Sequence, residues 1–357
     1  KVLVTAPKNG FLYVIDRNTG ELISAEPFAK VTWASKIDIE SGRPVEHPLA
    51  RYPDGSTFTL WPSALGAHSW HPMAFSPQTG MAYIPVIEKA QSWKDAGLED
   101  KQWQKDSPVG TSQAAAKVDL YPDVNDPRDG TSRLEAWNVI LQKSAWSHAT
   151  PGLASGGVLA TQGNLVFQGQ LDGKFNAYSA DTGNLLWSFD AQAPVMAPPI
   201  SYSVEGTQYI TVLSGMGTSL AVFASPASQY NSDYRKQQRR VLTFALNGKS
   251  SLPKSESPEL EPIADPEFQA DSPAAQGGMR TYHRYCARCH GIYAVAGGNA
   301  PDLRTSPFVL SSDAFADIVK KGRLLPAGMP RFDDLSNSEL EDVRQYLRTE
   351  ANSWRDE

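Results

Sequence analysis

Four stretches of the chain share one register. "VIDRNTGELIS" (14–24), "AFSPQTGMAYI" (74–84) and "AYSADTGNLLW" (177–187) each place Asp or Ser two residues after a small or branched apolar residue. Thr-Gly follows three residues later, and an apolar or small residue closes the stretch. "AWNVILQKSAW" (136–146) keeps the spacing, with Leu141-Gln142 in place of Thr-Gly. The last two copies start 41 residues apart, at 136 and 177, within the period of about 40–45 residues of propeller blades. Each copy reads as a hairpin. Asp or Ser bonds the amides of the turn, and glycine accepts a positive φ. A closing tryptophan, Trp146 or Trp187, can then dock between neighbouring blades. A β-sandwich with coincidental Thr-Gly turns is the alternative; four copies in one register favour a propeller. Nine tryptophans and 27 glycines fit a β-rich fold with many turns.

Other strand signals run from residue 1 to about 250. "KVLVTA" and "FLYVID" flank "PKNG", and Asn-Gly is a strong hairpin signal. Wider gaps between the earlier copies must hold insertions. One is "EKAQSWKDAGLEDKQWQKDSPVG" (88–110), charged and without strand pattern. "YITVLSGMGTSLAVFAS" (209–225) is the most apolar stretch. Gly215 and Gly217 interrupt it, so it parses as two strands about a turn, not a membrane span. "VLTFAL" (241–246) reads as a closing strand. These signals assign 1–247 to the β portion. Residues 248–270, rich in Pro, Ser and Glu and without periodicity, read as a linker.

Residues 271–357 change to helical period. Ser272-Pro273 can open a helix reaching Tyr285. "SSDAFADIVKKG" has a serine cap, an apolar face of Phe315, Ile318 and Val319, and Gly322 as a stop. "SNSELEDVRQYLRTE" carries a capping box, Ser336 with Glu339, and a stripe of Leu340, Val343 and Leu347.

"RYCARCHGIY" (284–293) holds both cysteines of the chain, Cys286 and Cys289, followed by His290. Cys-Ala-Arg-Cys-His is the attachment pattern for c-type haem. Two thiols must reach the two vinyl groups on one porphyrin edge, and the adjacent histidine must reach the iron. Zinc would need about four ligands, and no second Cys or His pair follows. A redox disulfide of thioredoxin type belongs near a βαβ unit, and no such pattern is present. "GNAPDL" (298–303) offers a carbonyl near Pro301 that could accept the proton on the far nitrogen of His290. "LPAGMPRF" (325–332) presents Met329 on a Pro- and Gly-bounded loop, suited to the other axial position; the competing role is a core gap-filler. Helix, motif, methionine loop and terminal helix together resemble a class I cytochrome c domain. Covalent haem without other cysteines points to a bacterial periplasm.

The chain has a formal net charge of -6 and is 20% charged. No basic run belongs to a nucleic-acid module. It opens directly in a strand signal, without methionine or signal peptide, which reads as a processed product or a piece of a longer protein.

"APKNGFLYVIDRNTGELISAEPF", "GAHSWHPMAFSPQTGMAYIP", "GGVLATQGNLVFQGQLDGKFNAYSADTGNLLWSF" and "PDLRTSPFVL…GMPRFDDLS" closely resemble the quinohaemoprotein alcohol dehydrogenases (PQQ-dependent, type II), over nearly the whole chain. The resemblance implies part of an eight-bladed β-propeller of tryptophan-docking type, binding pyrroloquinoline quinone (PQQ) and Ca2+, followed by an all-α cytochrome c domain. It implies oxidation of alcohols to aldehydes, with a primary or secondary alcohol as substrate and electrons passing to haem c. The external acceptor would be a small copper protein, a cytochrome or a quinone-linked partner. Lys8 matches the basic residue at the ortho-quinone oxygens, where a cation stabilises developing negative charge. Trp70 matches a tryptophan of the cofactor pocket. Ser69 falls where the family usually has asparagine; its hydroxyl can donate but reaches less far. His68 and His71 read as structural. The family's catalytic aspartate, calcium ligands and paired cysteines match nothing here and are expected upstream, in an N-terminal part of the same enzyme that would pair with this chain. The rival expectation is a non-catalytic propeller fused to an electron-transfer cytochrome.

Overall fold

The computed structural model describes residues 1–95, 116–119, 126–216, 237–253, 260–291, 294–296 and 300–356. They fall into a β unit, up to residue 253, and a helical unit from residue 260.

The β unit is a series of antiparallel sheets, each built from consecutive hairpins. The first is β1 (Val2–Thr5), β2 (Phe11–Asp16) and β3 (Leu22–Pro27). A small pair, β4 (Ala34–Ile37) with β5 (Pro44–Glu46), follows. β6 (Thr57–Leu60) leads to the second large sheet through β7 (Ala74–Ser76) and β8 (Met81–Glu88). The chain then leaves that sheet. β9 (Gln91–Asp95) and β10 (Ala116–Asp119) pair beside β6, in the order β10-β9-β6. β11 (Thr131–Asn138) and β12 (Lys143–Thr150) return to give the order β12-β11-β8-β7. The third sheet is β13 (Val158–Thr161), β14 (Leu165–Gly169), β15 (Lys174–Ser179) and β16 (Leu185–Asp190), in sequence order. The fourth is β17 (Ile200–Val204), β18 (Thr207–Ser214) and β19 (Arg240–Ala245).

The four recurring stretches form the hairpins β2–β3, β7–β8, β11–β12 and β15–β16. Their turn chemistry is local. Asp16 Oδ1 accepts from the amides of Asn18 (2.7 Å) and Thr19 (3.0 Å), and Gly20 sits at φ 78°. In the copy without Thr-Gly, Asn138 Oδ1 plays the acceptor and Gln142 takes the left-handed position at φ 51°.

The core lies between successive sheets. Leu12, Val14, Ile84 and Val86 join the first to the second. Tyr83, Leu134, Val166 and Tyr178 join the second to the third. Phe175, Val195, Ile210 and Leu242 join the third to the fourth. β15 is therefore almost wholly buried rather than alternating, because a sheet covers each of its faces, whereas β16 is exposed nearly throughout. Each fully buried large aliphatic or aromatic side chain contributes about 1.5–3 kcal/mol. The closing tryptophans pin the stack. Trp146 Nε1 donates to Ala180 O of the third sheet's hairpin (3.1 Å), and Trp187 meets Phe244 of the fourth sheet edge-on at 5.2 Å. This is propeller architecture of the tryptophan-docking kind.

One expectation changes and another goes only half tested. Residues 88–110 were expected to lack strand structure; β9 lies inside that segment, and residues 96–110 fall outside the described residues. Its pairing with β6 joins residues far apart in sequence, so no local pattern announces it. The second half of the 209–225 stretch also falls outside the described residues, while its first half is β18.

The helical unit contains α1 (Ser272–Tyr285), α2 (Ala287–His290), α3 (Ser312–Val319) and α4 (Asn337–Asp356). α1 is capped one residue earlier than expected, by Asp271, whose side chain accepts from Ala274 N. Ser311 caps α3 (3.3 Å to Ala314 N). Ser336 and Glu339 form the capping box of α4, with Glu339 N donating to Ser336 Oγ (3.1 Å) and Ser336 N to Glu339 Oε2 (2.9 Å). Tyr282, Val309, Phe315, Val343 and Leu347 form the core. The expected linker runs to residue 270, but from Leu260 onward it packs into this unit. Ile263 is buried and its amide donates to Arg304 O (2.8 Å), and Asp265 pairs with Arg348 (2.6 Å). Among the described residues no helix is long and apolar enough to cross a membrane.

Candidate functional site

In the β unit the candidate site is the turn between β1 and β2 with the loop before β7. Lys8 is exposed, and its Nζ donates to Ala64 O at 3.2 Å. Lys8 O accepts from Ala67 N at 2.9 Å, so turn and loop are tied by backbone as well. Gly66 makes that approach possible: at φ +88°, a Cβ there would stand 2.8 Å from Lys8 Cα. No side chain fits, so the glycine is required by both space and conformation.

His68 holds the next residues. Its Nδ1 lies 2.5 Å from Ala6 O and its Nε2 2.6 Å from His71 O. The loop then reaches the third sheet, where Val158 N donates to Pro72 O at 2.9 Å. Between these anchors Ser69 is half-buried, and Trp70 is 54% exposed, unusual for so large an aromatic surface. Trp70 stacks on His71, with ring centroids 4.0 Å apart and planes at 26°. His71 is 2% exposed, and among the described residues neither ring nitrogen has a hydrogen-bond partner. Burial first, and His68 nearby second, push its pKa down to about 4, so it is neutral at ordinary pH. The structure thus brings Lys8, Ser69 and Trp70 onto one connected backbone. A flat exposed indole and a tethered ammonium, carried by loops that bond to each other, are the kinds of group that suit a planar, anionic aromatic molecule such as PQQ. His68 acts structurally, as expected, but its partners and the role of Gly66 were not visible in sequence, because Lys8 and Ala6 lie about 60 residues away in the chain. Among the described residues no group of three or more His, Cys, Asp or Glu could hold a metal ion.

In the helical unit the candidate site begins where α1 ends. Cys286 caps α1, and α2 carries Cys289 and His290 one turn later. Both cysteines are unpaired thiols. Packing around the sulfur of Cys286, with Cys289 beside it, pushes that thiol up to about 12. His290 is 7% exposed, and its Nδ1–H donates to Pro301 O at 2.8 Å. That bond fixes the tautomer and makes Nε2 the lone-pair nitrogen. Tyr282 OH donates to Gly291 O (2.9 Å) and secures the turn after the histidine. Met329 follows the turn Leu325–Ala327 and Gly328 at φ +89°, and packs with Cys286 against the same core. A part-buried thiol and an exposed one a turn apart, an oriented imidazole and a thioether against one core fit a c-type haem.

Comparison with known proteins supports both parts. Residues 129–210 match the family model of the glucose/ethanol/alcohol dehydrogenase beta-propeller domain, and residues 273–347 that of cytochrome C oxidase, cbb3-type, subunit III. The quinohaemoprotein alcohol dehydrogenase ADH IIB of Pseudomonas putida is 41% identical over 352 residues, 97% of this chain and 49% of that protein. The structure of ADHIIG from the same organism superposes with a TM-score of 0.84 at 35% identity, covering 100% of this chain and 52% of that one. The Comamonas testosteroni enzyme gives 0.78 at 32% identity, covering 99% and 51%. The chain spans about half the length of the curated relatives it matches. With a PQQ-type propeller segment followed by a cytochrome segment, it is similar over nearly its whole length to about half the length of the quinohaemoprotein alcohol dehydrogenases.

Proposed function

We propose that the complete protein oxidises alcohols with PQQ and delivers the electrons through a covalently bound haem c to an external acceptor. The observation that carries this reading is the joining, in one chain, of a propeller segment of the alcohol dehydrogenase type with a cytochrome segment. PQQ, when bound, supplies the two-electron oxidation of the alcohol, and haem c supplies one-electron transfer. Lys8 would hold the quinone oxygens with its ammonium and lower the energy of negative charge there. Trp70 would offer its exposed face to the ring system, backed by neutral His71 so that no second charge lies beneath it. Ser69 would donate a hydroxyl hydrogen bond. Cys286 and Cys289 would hold the haem through their sulfurs, with His290 Nε2 and Met329 Sδ as iron ligands.

The general base and the Ca2+ ligands are assigned to residues outside this sequence. The substrate class is a primary or secondary alcohol. The acceptor is a soluble copper protein or cytochrome, or a quinone-linked partner. Haem attachment at a two-cysteine motif supports a periplasmic location. The test is dye-linked oxidation by the complete protein, prepared without PQQ and then given PQQ and calcium. Aldehyde formation that depends on PQQ is the expected result. Oxidation at the same rate without PQQ overturns the reading. A non-catalytic propeller predicts no turnover under any loading.

A further inference from the structure

Beside the haem-type motif lies a buried ion pair that no part of the reading so far uses. Asp302 is 8% exposed and directly follows Pro301, whose carbonyl takes the His290 proton. Asp302 Oδ1 accepts from Arg304 N (3.0 Å) and Arg304 Nε (3.1 Å). Its Oδ2 accepts from Arg304 Nη2 (2.8 Å) and from Ala296 N (3.2 Å). The guanidinium in turn lies 4.2 Å from the ring centroid of Trp354 on α4, and Arg304 O accepts from Ile263 N at 2.8 Å. The carboxylate is therefore held by the chain before it and the turn after it, and Arg304 in that turn is held by the terminal helix and by the segment that enters the unit.

Position matters here because Pro301 C=O and Asp302 N belong to one rigid peptide plane. Whatever orients Asp302 orients the carbonyl that His290 Nδ1–H meets. A histidine that donates a strong hydrogen bond is a more basic ligand, and it favours the oxidised metal. The pair's own charges largely cancel at the iron, since the carboxylate and guanidinium lie in contact. A buried ion pair is a poor source of stability, as an apolar replacement often does as well. Geometry is the role that remains.

We propose that Asp302 and Arg304 are positioning residues for His290: by fixing the Pro301–Asp302 peptide plane they set the strength of the Nδ1–H bond and, through it, the reduction potential of the haem. The proposal rests on the reading of Cys286, Cys289 and His290 as a haem site.

The experiment is a spectroelectrochemical titration of the haem-loaded protein and of three variants. Arg304→Lys keeps the charge but loses the two-pronged contact and the ring stacking. It is expected to raise the equilibrium constant for one-electron reduction about fivefold, where tenfold is about 59 mV. Asp302→Asn is expected to raise it by at least as much, since it loses the charge too. Asp313→Asn, an exposed carboxylate on α3, serves as the charge control and is expected to leave the potential unchanged. Exchange of the His290 Nδ1 proton with solvent, followed by NMR, is expected to quicken in Arg304→Lys. Should Arg304→Lys and Asp302→Asn lower the melting temperature but keep the parent potential, the pair is structural and the proposal is wrong. If Asp302→Asn fails to fold, Arg304→Lys decides alone. Absence of covalent haem in the parent protein, checked first, overturns the haem reading and this proposal with it.

Discussion

Lys8 presents an ammonium at an exposed turn while its backbone is locked to the Gly66–Ala67 loop. Its side chain adds little to stability, so its replacement isolates its chemistry. Lys8→Ala in the complete protein should lower kcat for alcohol oxidation by about 10²–10³-fold, the usual loss when one charge-stabilising donor is removed. The melting temperature should stay within about 1 °C of the parent, because surface changes of this kind cost under about 0.5 kcal/mol. His71 makes the opposite case, a buried group whose ionisation couples to folding. Its folded pKa of about 4 lies below the ordinary 6.5, so the unfolded chain takes up the proton first as pH falls. The stabilisation is whole above the ordinary value and is lost between there and the folded value, up to about 3 kcal/mol. Urea titrations from pH 7 to pH 4 should show that slope. His71→Phe, which keeps an aromatic ring under Trp70, should flatten it.

At the scale of the element, the hairpins and the caps of α3 and α4 were legible because their chemistry is local. Asp16 and Asn138 bond amides two or three residues ahead, and Ser336 with Glu339 closes a box within one turn. The illegible parts are tertiary. β9 pairs with a strand about 30 residues away, Ile263 and Asp265 find partners on Arg304 and Arg348, and His68 bonds Ala6 across 62 residues. Cys286, Cys289 and His290 could be singled out from spacing alone, since haem attachment dictates that spacing, whereas Met329 rested on its Pro- and Gly-bounded loop. Lys8, Ser69 and Trp70 needed a family resemblance, as an exposed turn lysine and an exposed tryptophan announce nothing by themselves. The tryptophan docking gives a sharp test. Gly183 sits at φ +74°, and a Cβ there would approach Trp146 Cδ2 to 2.7 Å. Gly183→Ala should destabilise the β unit by about 1–3 kcal/mol through backbone strain and displacement of the indole. The midpoint of urea unfolding followed by tryptophan fluorescence measures it.

On the scale of the whole molecule, the apolar faces left exposed among the described residues carry the message. β17 exposes Ile200 at 57%, Tyr202 at 39% and Val204 at 51% on one face. A propeller covers each sheet with the next, and a row of exposed branched and aromatic residues favours association. The species that oxidises alcohol should therefore have a native mass above the 38.9 kDa of these 357 residues; light scattering on an active preparation measures it. The central proposal is that electrons taken from an alcohol reach a haem that Cys286, Cys289, His290 and Met329 would hold. The most direct measurement is the visible spectrum of the complete protein, loaded with PQQ and calcium and kept free of oxygen and dye, before and after addition of a primary alcohol. The account predicts the sharp bands of reduced haem c from the alcohol alone. A haem that stays oxidised with alcohol, yet is reduced at once by dithionite in a protein that turns over alcohol with dye, would contradict it.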